Sequence, residues 1–278
     1  MSILKGKVAL ITGVASKKSM GHAIALRLAG EGANIVLIDK YAKPNILAPA
    51  DKEWGGLDAV AKEIESLGRE VQASIVDITI AKEIDSALSQ AVAKFGKIDI
   101  LVHCAAIRGP VGTPVIDLAE EEWKKILDIN LNGTFLLAKA IAKNMVASGH
   151  AGKIVLISSL GGTKGMPGSA AYSASKFGVI GLAKSLALEL AKYNINVNAI
   201  NPGSVDTNLR DGFHEEMAKA EGISLEDARH KDYQKLISGI PLGRMATPEE
   251  IANLILFLVS DQSSYITAVD INISGGVS

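Results

Sequence analysis

The sequence predicts an α/β fold: a doubly wound parallel β-sheet of about seven strands flanked by helices. Three observations carry that prediction. Short β-branched runs recur along all 278 residues, longer stretches of helical periodicity separate them, and the runs are almost continuously apolar. Strands that alternate with helices form a parallel sheet, and strands covered on both faces lose the apolar–polar alternation of a half-exposed sheet. In chain order the predicted strands are 7–12, 34–39, 71–76, 98–103, 153–158, 195–201 and 269–273. The helical stretches between them are 23–29, 57–67, 84–95, 120–145, 174–191 and 248–259. The rhythm reaches the last strand with no repeat and no Pro/Ser-rich linker, so residues 1–278 read as one domain. Two connections break it. Residues 40–56, with Pro44 and Pro49, are long for a turn, and 204–243 are longer still and dense in charge. Insertions of that length are more often functional than accidental, so 204–243 is expected to form a substrate lid with short helices.

Composition narrows the function classes. A chain of this size buries nearly three-quarters of the surface of its unfolded form and needs no disulfide or metal staple. Hydrophobic residues at 48% and charged residues at 21% exclude a disordered chain. The net charge is −1 and no basic run exceeds Lys17-Lys18, so a nucleic-acid partner is not expected. A single cysteine, Cys104, suits a reducing compartment. The first residues do not read as a signal peptide, and the greasiest helical stretch, 251–259, is about half the length that spans a bilayer. A cytoplasmic protein without a membrane partner is expected. The five histidines lack ligand spacing, so no metal is expected.

The first strand runs into Thr12-Gly13-Val14-Ala15-Ser16-Lys17-Lys18-Ser19-Met20-Gly21, with a helix beginning near Gly21. Such a turn points backbone N–H groups and a helix N-terminus at a pyrophosphate, although two glycines between strand and helix also occur for steric reasons. Asp39 closes the second strand, 26 residues after Gly13. A carboxylate there accepts both ribose hydroxyls of NAD and repels the 2′-phosphate of NADP. Together they predict a dinucleotide site with NAD preferred.

Thr12-Gly13 with Gly21, Asn130, Ser159, Tyr172-x-x-x-Lys176 and Pro202-Gly203 resembles the short-chain dehydrogenase/reductase family in its single-domain, Rossmann-type form. The resemblance covers essentially the whole chain, through Pro248-Glu249-Glu250-Ile251 to Gly275-Gly276. Tyr172 and Lys176 share one helical face. A phenol with a pKa near 10 is a poor base at neutral pH, and a nearby ammonium is expected to bring it down toward working pH. The resemblance implies that Ser159 hydrogen-bonds the substrate oxygen, Tyr172 transfers the proton, Lys176 also binds the nicotinamide ribose, and Asn130 holds a water in the proton relay.

It further implies cofactor contacts from Gly13, Ser19, Met20 and Gly21 in the turn, from Asp77 and Ile78 beside the adenine, and from Pro202, Gly203, Val205 and Thr207 near the carboxamide. The family's Asn-Asn-Ala-Gly after the fourth strand is here His103-Cys104-Ala105-Ala106, with Cys104, Ala105 and Ala106 toward the ribose. Cys104 reads as a small buried hydrophobe, and His103 as a core or sheet-stabilising residue. The turn is two residues longer than usual, and Ser19 stands where a glycine is common. Lys17 and Lys18 either face solvent or contact phosphate.

The leading function is NAD-dependent hydride transfer to or from a secondary alcohol: a sugar, polyol, hydroxy acid or cyclic alcohol. A catalytically inactive dinucleotide sensor or structural subunit is the alternative. Arg108, Lys164, Arg210 and His214 either face solvent or, if two converge on the cleft, mark a polyhydroxylated or anionic substrate. Met166, Leu209 and Phe213 could equally line a pocket for a cyclic alcohol. Phe135-Leu136-Leu137-Ala138, Leu182-Ala183 and Leu186-Ala187-Leu188 put apolar side chains on more than one helix face, which predicts a homotetramer.

Overall fold

The computed structural model describes residues 2–44 and 53–278. Seven parallel strands form one sheet in the order β3-β2-β1-β4-β5-β6-β7. They are β1 (Val8–Thr12), β2 (Asn34–Asp39), β3 (Val71–Ile75), β4 (Ile100–His103), β5 (Gly152–Ile157), β6 (Ile195–Pro202) and β7 (Asp270–Ile273). All seven lie within or beside the predicted runs. All five residues of β1 are buried, as a central strand covered on both faces requires. The edge strands depart from that pattern: β3 alternates between covered and open positions, and β7 is only half-buried. Each lacks a neighbour on one side, so one flank stays wet.

Side-chain alternation divides the core into two layers. Ala9 and Ile11 of β1 pack with Ile24 and Leu28 of α1 (Met20–Gly30), Val60 and Ile64 of α2 (Leu57–Ser66), and Ile251 and Ile255 of α9 (Pro248–Val259). Val8 and Leu10 pack on the opposite face with Ile84 of α3 (Ala81–Phe95), Leu137 and Ile141 of α5 (Thr134–Ser148), and Val179 of α6 (Ala170–Leu190). Each such leucine or isoleucine contributes about 1.5–3 kcal/mol by leaving water. A one-residue slip of register would swap the two sets.

The stretch predicted as a single helix over 120–145 is three pieces. Helix α4 (Glu120–Leu127) runs into a π-helical segment, Asp128–Gly133, which continues as α5. The wider turn carries Asn130. Within 204–243 two helices form, α7 (Asp211–Glu221) and α8 (Leu225–Ile237), packed on each other. Pro49, part of the long connection after β2, lies outside the described residues. No helix among the described residues is long and apolar enough to cross a membrane.

Candidate active site

Between β1 and β4 the strand order reverses, and successive crossovers leave toward opposite faces of the sheet. A crevice therefore opens beyond the carboxyl ends of those strands. Gly13, directly after β1, has φ +71°, and a Cβ there would lie 2.9 Å from the backbone nitrogen of Ala105. Both facts demand glycine, and they leave a bare backbone facing the crevice. Ser19 is the N-cap of α1; its Oγ accepts from His22 N at 3.0 Å. The residue in the expected glycine position is thus a helix cap, and Met20 and Gly21 open the helix behind it.

Asp39 is the last residue of β2. Its Oδ2 accepts from Ala15 N at 3.0 Å and its Oδ1 from Tyr41 N at 3.3 Å. Burial raises its carboxyl pKa, against the pull of those N–H groups. Trp54 leans over the same turn, its Nε1 donating to Ala15 O at 2.7 Å. Lys17 Nζ stands 5.9 Å from the Trp54 ring, and Lys18 borders a cavity of about 310 Å³ at the foot of α7 and α8. A bare glycine backbone, a helix N-terminus and a terminal carboxylate together fit a dinucleotide.

Around them, Asp77 pairs with Lys40 at 2.6 Å and accepts from Thr79, and Ile78 is packed against Gly133. Gly203 N donates to Ile273 O at 2.9 Å, holding the end of β6 against β7 just after Pro202. Val205 bridges to Ala246, and Thr207 caps the short turn before α7.

The exit of β4 is organised by a threonine. Thr12 Oγ1 accepts from the backbone nitrogens of Cys104 and Ala105, at 3.0 Å each, and lies 2.8 Å from His103 Nδ1. With both lone pairs engaged, the hydroxyl proton points at Nδ1, so the imidazole is neutral and carries its hydrogen on Nε2. Complete burial agrees, lowering the His103 pKa to about 3. Cys104 is half-buried rather than fully buried as expected, yet desolvation pushes its thiol up to about 12, so it is no nucleophile. His103 thus stabilises the sheet end, and Ala106 follows into the crevice.

Ser159, Tyr172 and Lys176 come together beyond β5. Ser159 Oγ accepts from Gly161 N at 3.1 Å, and the serine hydroxyl lies close enough to Tyr172 to oppose the rise of its pKa. Lys176, one turn along α6, is 4% exposed; its Nζ donates to Ile157 O at 2.9 Å and sits 5.8 Å from the Tyr172 ring centre. Burial lowers the Lys176 pKa to about 8. One expectation is corrected here. The Tyr172 pKa is raised, not lowered, because burial outweighs the opposing pull of Ser159 and of a second cation, Arg108. The guanidinium carbon of Arg108 lies 5.6 Å from the Tyr172 ring centre.

Asn130 is wholly buried. Its Oδ1 accepts from Ile107 N and its Nδ2 donates to Ile107 O, both at 2.8 Å, while Nδ2 also reaches Ser175 Oγ at 3.1 Å. Ser175 Oγ in turn donates to Tyr172 O at 2.7 Å. The asparagine side chain therefore braces the loop after β4 against α6. Ser175 was missed in the sequence, and so was Ser158, whose Oγ holds Lys176 O at 2.9 Å. Each is one more serine in a serine-rich stretch, and only the fold distinguishes them.

Arg210 and His214 line the cavity at the foot of α7 and α8, but both are already paired there. Arg210 makes a bidentate pair with Asp232, at 2.7 Å from Nε and 2.6 Å from Nη2, and His214 Nε2 lies 2.9 Å from the same carboxylate. Asp211 pairs with Arg229 at 3.0 Å, and Asn208 joins this cluster to the turn after β1 through Ser16 Oγ at 2.8 Å. Lys164 Nζ is tied to Ser278 O. Leu209 stays exposed, while Met166 sits against Gly161 beside Tyr172. Among the described residues no three His, Cys, Asp or Glu side chains are grouped to hold a metal ion.

A profile of the family described as "Enoyl-(Acyl carrier protein) reductase" matches residues 13–278. The chain is 37% identical to the 3-oxoacyl-[acyl-carrier-protein] reductase FabG of Thermotoga maritima, over 99% of this chain and 98% of that one. It is also 37% identical to the trans-4-hydroxycyclohexanecarboxylate dehydrogenase of Sinomonas cyclohexanicum, over 97% and 92%. Among solved structures, carveol dehydrogenase from Mycobacterium avium in complex with NAD superposes with a TM-score of 0.87 at 32% identity, over 100% and 99% of the two chains.

Proposed function

The chain belongs to the short-chain dehydrogenase/reductase family and is an oxidoreductase acting between CH–OH and carbonyl groups, and from that premise we propose an NAD-dependent dehydrogenase of secondary alcohols with Tyr172 as general acid/base. The observation that carries the reading is the placing of the Ser159 hydroxyl beside Tyr172, with Lys176 one turn behind it and 5.8 Å from the Tyr172 ring centre. A protein that only bound a dinucleotide would need neither hydroxyl.

In the oxidative direction the carbinol hydroxyl sits between Ser159 Oγ and the Tyr172 oxygen, and Tyr172 takes its proton as the carbonyl forms. Ser159 donates to the substrate oxygen and holds it in line. In reduction the same proton returns from Tyr172. Lys176, pinned by Ile157 O, holds positive charge behind the phenol and offers its remaining N–H donors to the nicotinamide ribose. When bound, the nicotinamide supplies the hydride acceptor and a positive ring charge beside the phenol. Gly13, Ser19, Met20 and Gly21 would cradle the pyrophosphate, and Asp39 the adenosine ribose. Asp77 and Ile78 would flank the adenine. Cys104, Ala105 and Ala106 would line the ribose, and Pro202, Gly203, Val205 and Thr207 the carboxamide. Asn130 positions the β4 loop, and its main-chain carbonyl, already taking Thr134 Oγ1 at 2.6 Å, retains one lone pair for a relay water.

NAD is preferred over NADP because Asp39 leaves no room for a second negative charge. Segment 204–243 serves as the substrate lid, tied to the cofactor turn by Asn208–Ser16. The working form is a cytoplasmic homotetramer, supported by Phe135, Phe177 and Leu188 standing exposed on α5 and α6. A second reading, reduction of a 3-oxoacyl thioester, is favoured by the name of the Thermotoga maritima relative. Absorbance at 340 nm tests both, with NAD and a panel of sugars, polyols, hydroxy acids and cyclic alcohols set against NADH or NADPH with a 3-oxoacyl thioester. Turnover of the alcohols is expected. Turnover of the thioester alone would favour the second reading, and no turnover with tight NAD binding would leave a sensor.

A further inference from the structure

We propose that Arg108 is the specificity residue of this site: its guanidinium takes the carboxylate of a hydroxy acid or oxo acid whose carbinol or carbonyl carbon lies at Tyr172. The inference deepens the dehydrogenase reading above and rests on it.

The first support is location. Arg108 stands in the loop after β4, with its guanidinium carbon 5.6 Å from the Tyr172 ring centre, on the substrate side of the crevice. The proposed dinucleotide phosphates belong at the opposite end, on the turn from Gly13 to Gly21, so this cation is not placed for them.

The second is fixation. The residue before it, Ile107, is clamped at both its N–H and its carbonyl by Asn130, at 2.8 Å each. The residue after it, Gly109, has φ +72°, and a Cβ there would run into the Ile126 side chain. A little further on, Gly112 N donates to Gly168 O at 2.9 Å, pulling the loop against the start of α6. The backbone on either side of Arg108 is therefore held, and its side chain departs from a defined point.

The third is vacancy of the fork. Among the described residues Arg108 makes no hydrogen bond and no ion pair, and its Nε is covered without a partner. Three other cations near the crevice are engaged. Arg210 spends its guanidinium on Asp232, Lys176 donates to Ile157 O, and Lys164 is tied to Ser278 O. Asp232 acts on Arg108 only through its field, since its contacts are spent on Arg210 and His214. The Arg108 pKa is lowered by burial and by the neighbouring Arg210. A half-buried guanidinium with a covered, unpaired Nε is costly, and a bound anion offsets that cost. The planar fork matches a carboxylate through two parallel N–H···O bonds, which a lysine cannot reproduce. Neutral sugars, polyols and cyclic alcohols would leave it unmatched.

The test separates binding from turnover. Calorimetric titration of the NAD-loaded protein compares cyclohexanecarboxylate with its uncharged isostere cyclohexanecarboxamide. The acid is expected to bind at least tenfold tighter to the wild type, and Arg108→Met to abolish that preference. Arg108→Lys should recover only part of it, and thermal melting reports that both variants are folded. Equal affinity of wild type for the two probes, or an equal loss of both in the methionine variant, would overturn the proposal. Turnover of a hydroxy acid panel against the matching methyl esters gives the second readout. Arg108→Met should raise KM for the acids at least tenfold and leave the esters within about threefold. If Arg108 served only to tune Tyr172, the variant would shift the pH–rate profile equally for acids and esters. No oxidation of any acid or ester, with the acid preference in binding intact, would sink the dehydrogenase reading and leave the anion site standing.

Discussion

His103 gives this protein a built-in sensitivity to acid. The imidazole is 3% exposed, its Nδ1 accepts from the Thr12 hydroxyl, and burial lowers its pKa from an ordinary 6.5 to about 3. Protonating Nδ1 in the fold would set one donor against another and place a charge beside Lys176, which already disfavours it. Between pH 3 and 6.5 the unfolded chain therefore holds one more proton at this residue than the native one. Stability from this group is full above pH 6.5 and falls as the pH drops, by about 1.36 kcal/mol per unit. From pH 7 to pH 5 the loss comes to about 2 kcal/mol. With a urea slope of about 3 kcal/mol per molar, the midpoint should fall by about 0.6 M over that interval beyond what other groups contribute.

The control is His103→Asn, since asparagine still accepts the Thr12 hydroxyl through Oδ1 but does not titrate. Its smaller side chain moves the level of stability at pH 7, and the slope is what matters. Urea unfolding followed by circular dichroism at pH 5, 6 and 7 should show the wild-type midpoint falling more steeply than the variant's, by the amount above. Parallel slopes would mean that the native imidazole takes up its proton as readily as the unfolded one, which would refute the tautomer and burial argument together.

Tyr172→Phe should lose at least about three decades of turnover, the upper range for a positioned acid–base group, while NAD affinity by fluorescence titration stays within about threefold. Retained turnover would remove Tyr172 from the chemistry. Asp39→Ala should narrow the NAD-to-NADP ratio of kcat/KM by roughly ten- to a hundredfold, chiefly through weaker use of NAD, since a charged hydrogen bond is lost. An unchanged ratio would mean that the carboxylate does not meet the ribose. Sedimentation should find a tetramer of the 29.1 kDa chain, reduced to smaller species by Leu188→Glu at a position 76% exposed on α6. A stable wild-type monomer at micromolar concentration would refute that assembly.

The parts of this protein legible in its sequence are those where one residue, or one short spacing, suffices for the physics. Continuous apolar runs mark β1, β2, β4 and β5 because a doubly covered strand tolerates little else, whereas the edges β3 and β7 carry a fainter signal. Gly13 is visible because its positive φ and its approach to Ala105 exclude any side chain. Tyr172 and Lys176 are visible because a helix turns their spacing into adjacency. What depended on distant residues meeting was not legible. Arg210 and His214 looked equally suited to solvent, since nothing local says that Asp232, 22 residues beyond Arg210, returns to both. The π-helical turn at Asn130 was invisible for a similar reason: its residues read as ordinary helix, and only the bonds to Ile107 explain the wider winding.

That last contact also limits how far a role transfers from a motif. An asparagine at position 130 is predicted as a holder of water, yet its side chain spends both Nδ2 hydrogens on Ile107 and Ser175 and one Oδ1 lone pair on Ile107 N, so it has no donor left for one. The contacts that the side chain does make are mechanical: they tie the loop after β4 to α6. The same clamp fixes the residue that follows Ile107. Asn130 therefore links two parts of the site, the start of α6 that carries Tyr172 and the loop from which Arg108 departs. Asn130→Asp would test the link without emptying the space. A carboxylate still accepts from Ile107 N but repels Ile107 O, so the loop should loosen at Arg108 while α6 keeps Tyr172 in place. Discrimination between acid and ester substrates should then fall further than turnover of the esters, and an equal fall in both would show that the asparagine serves the Tyr172 side alone.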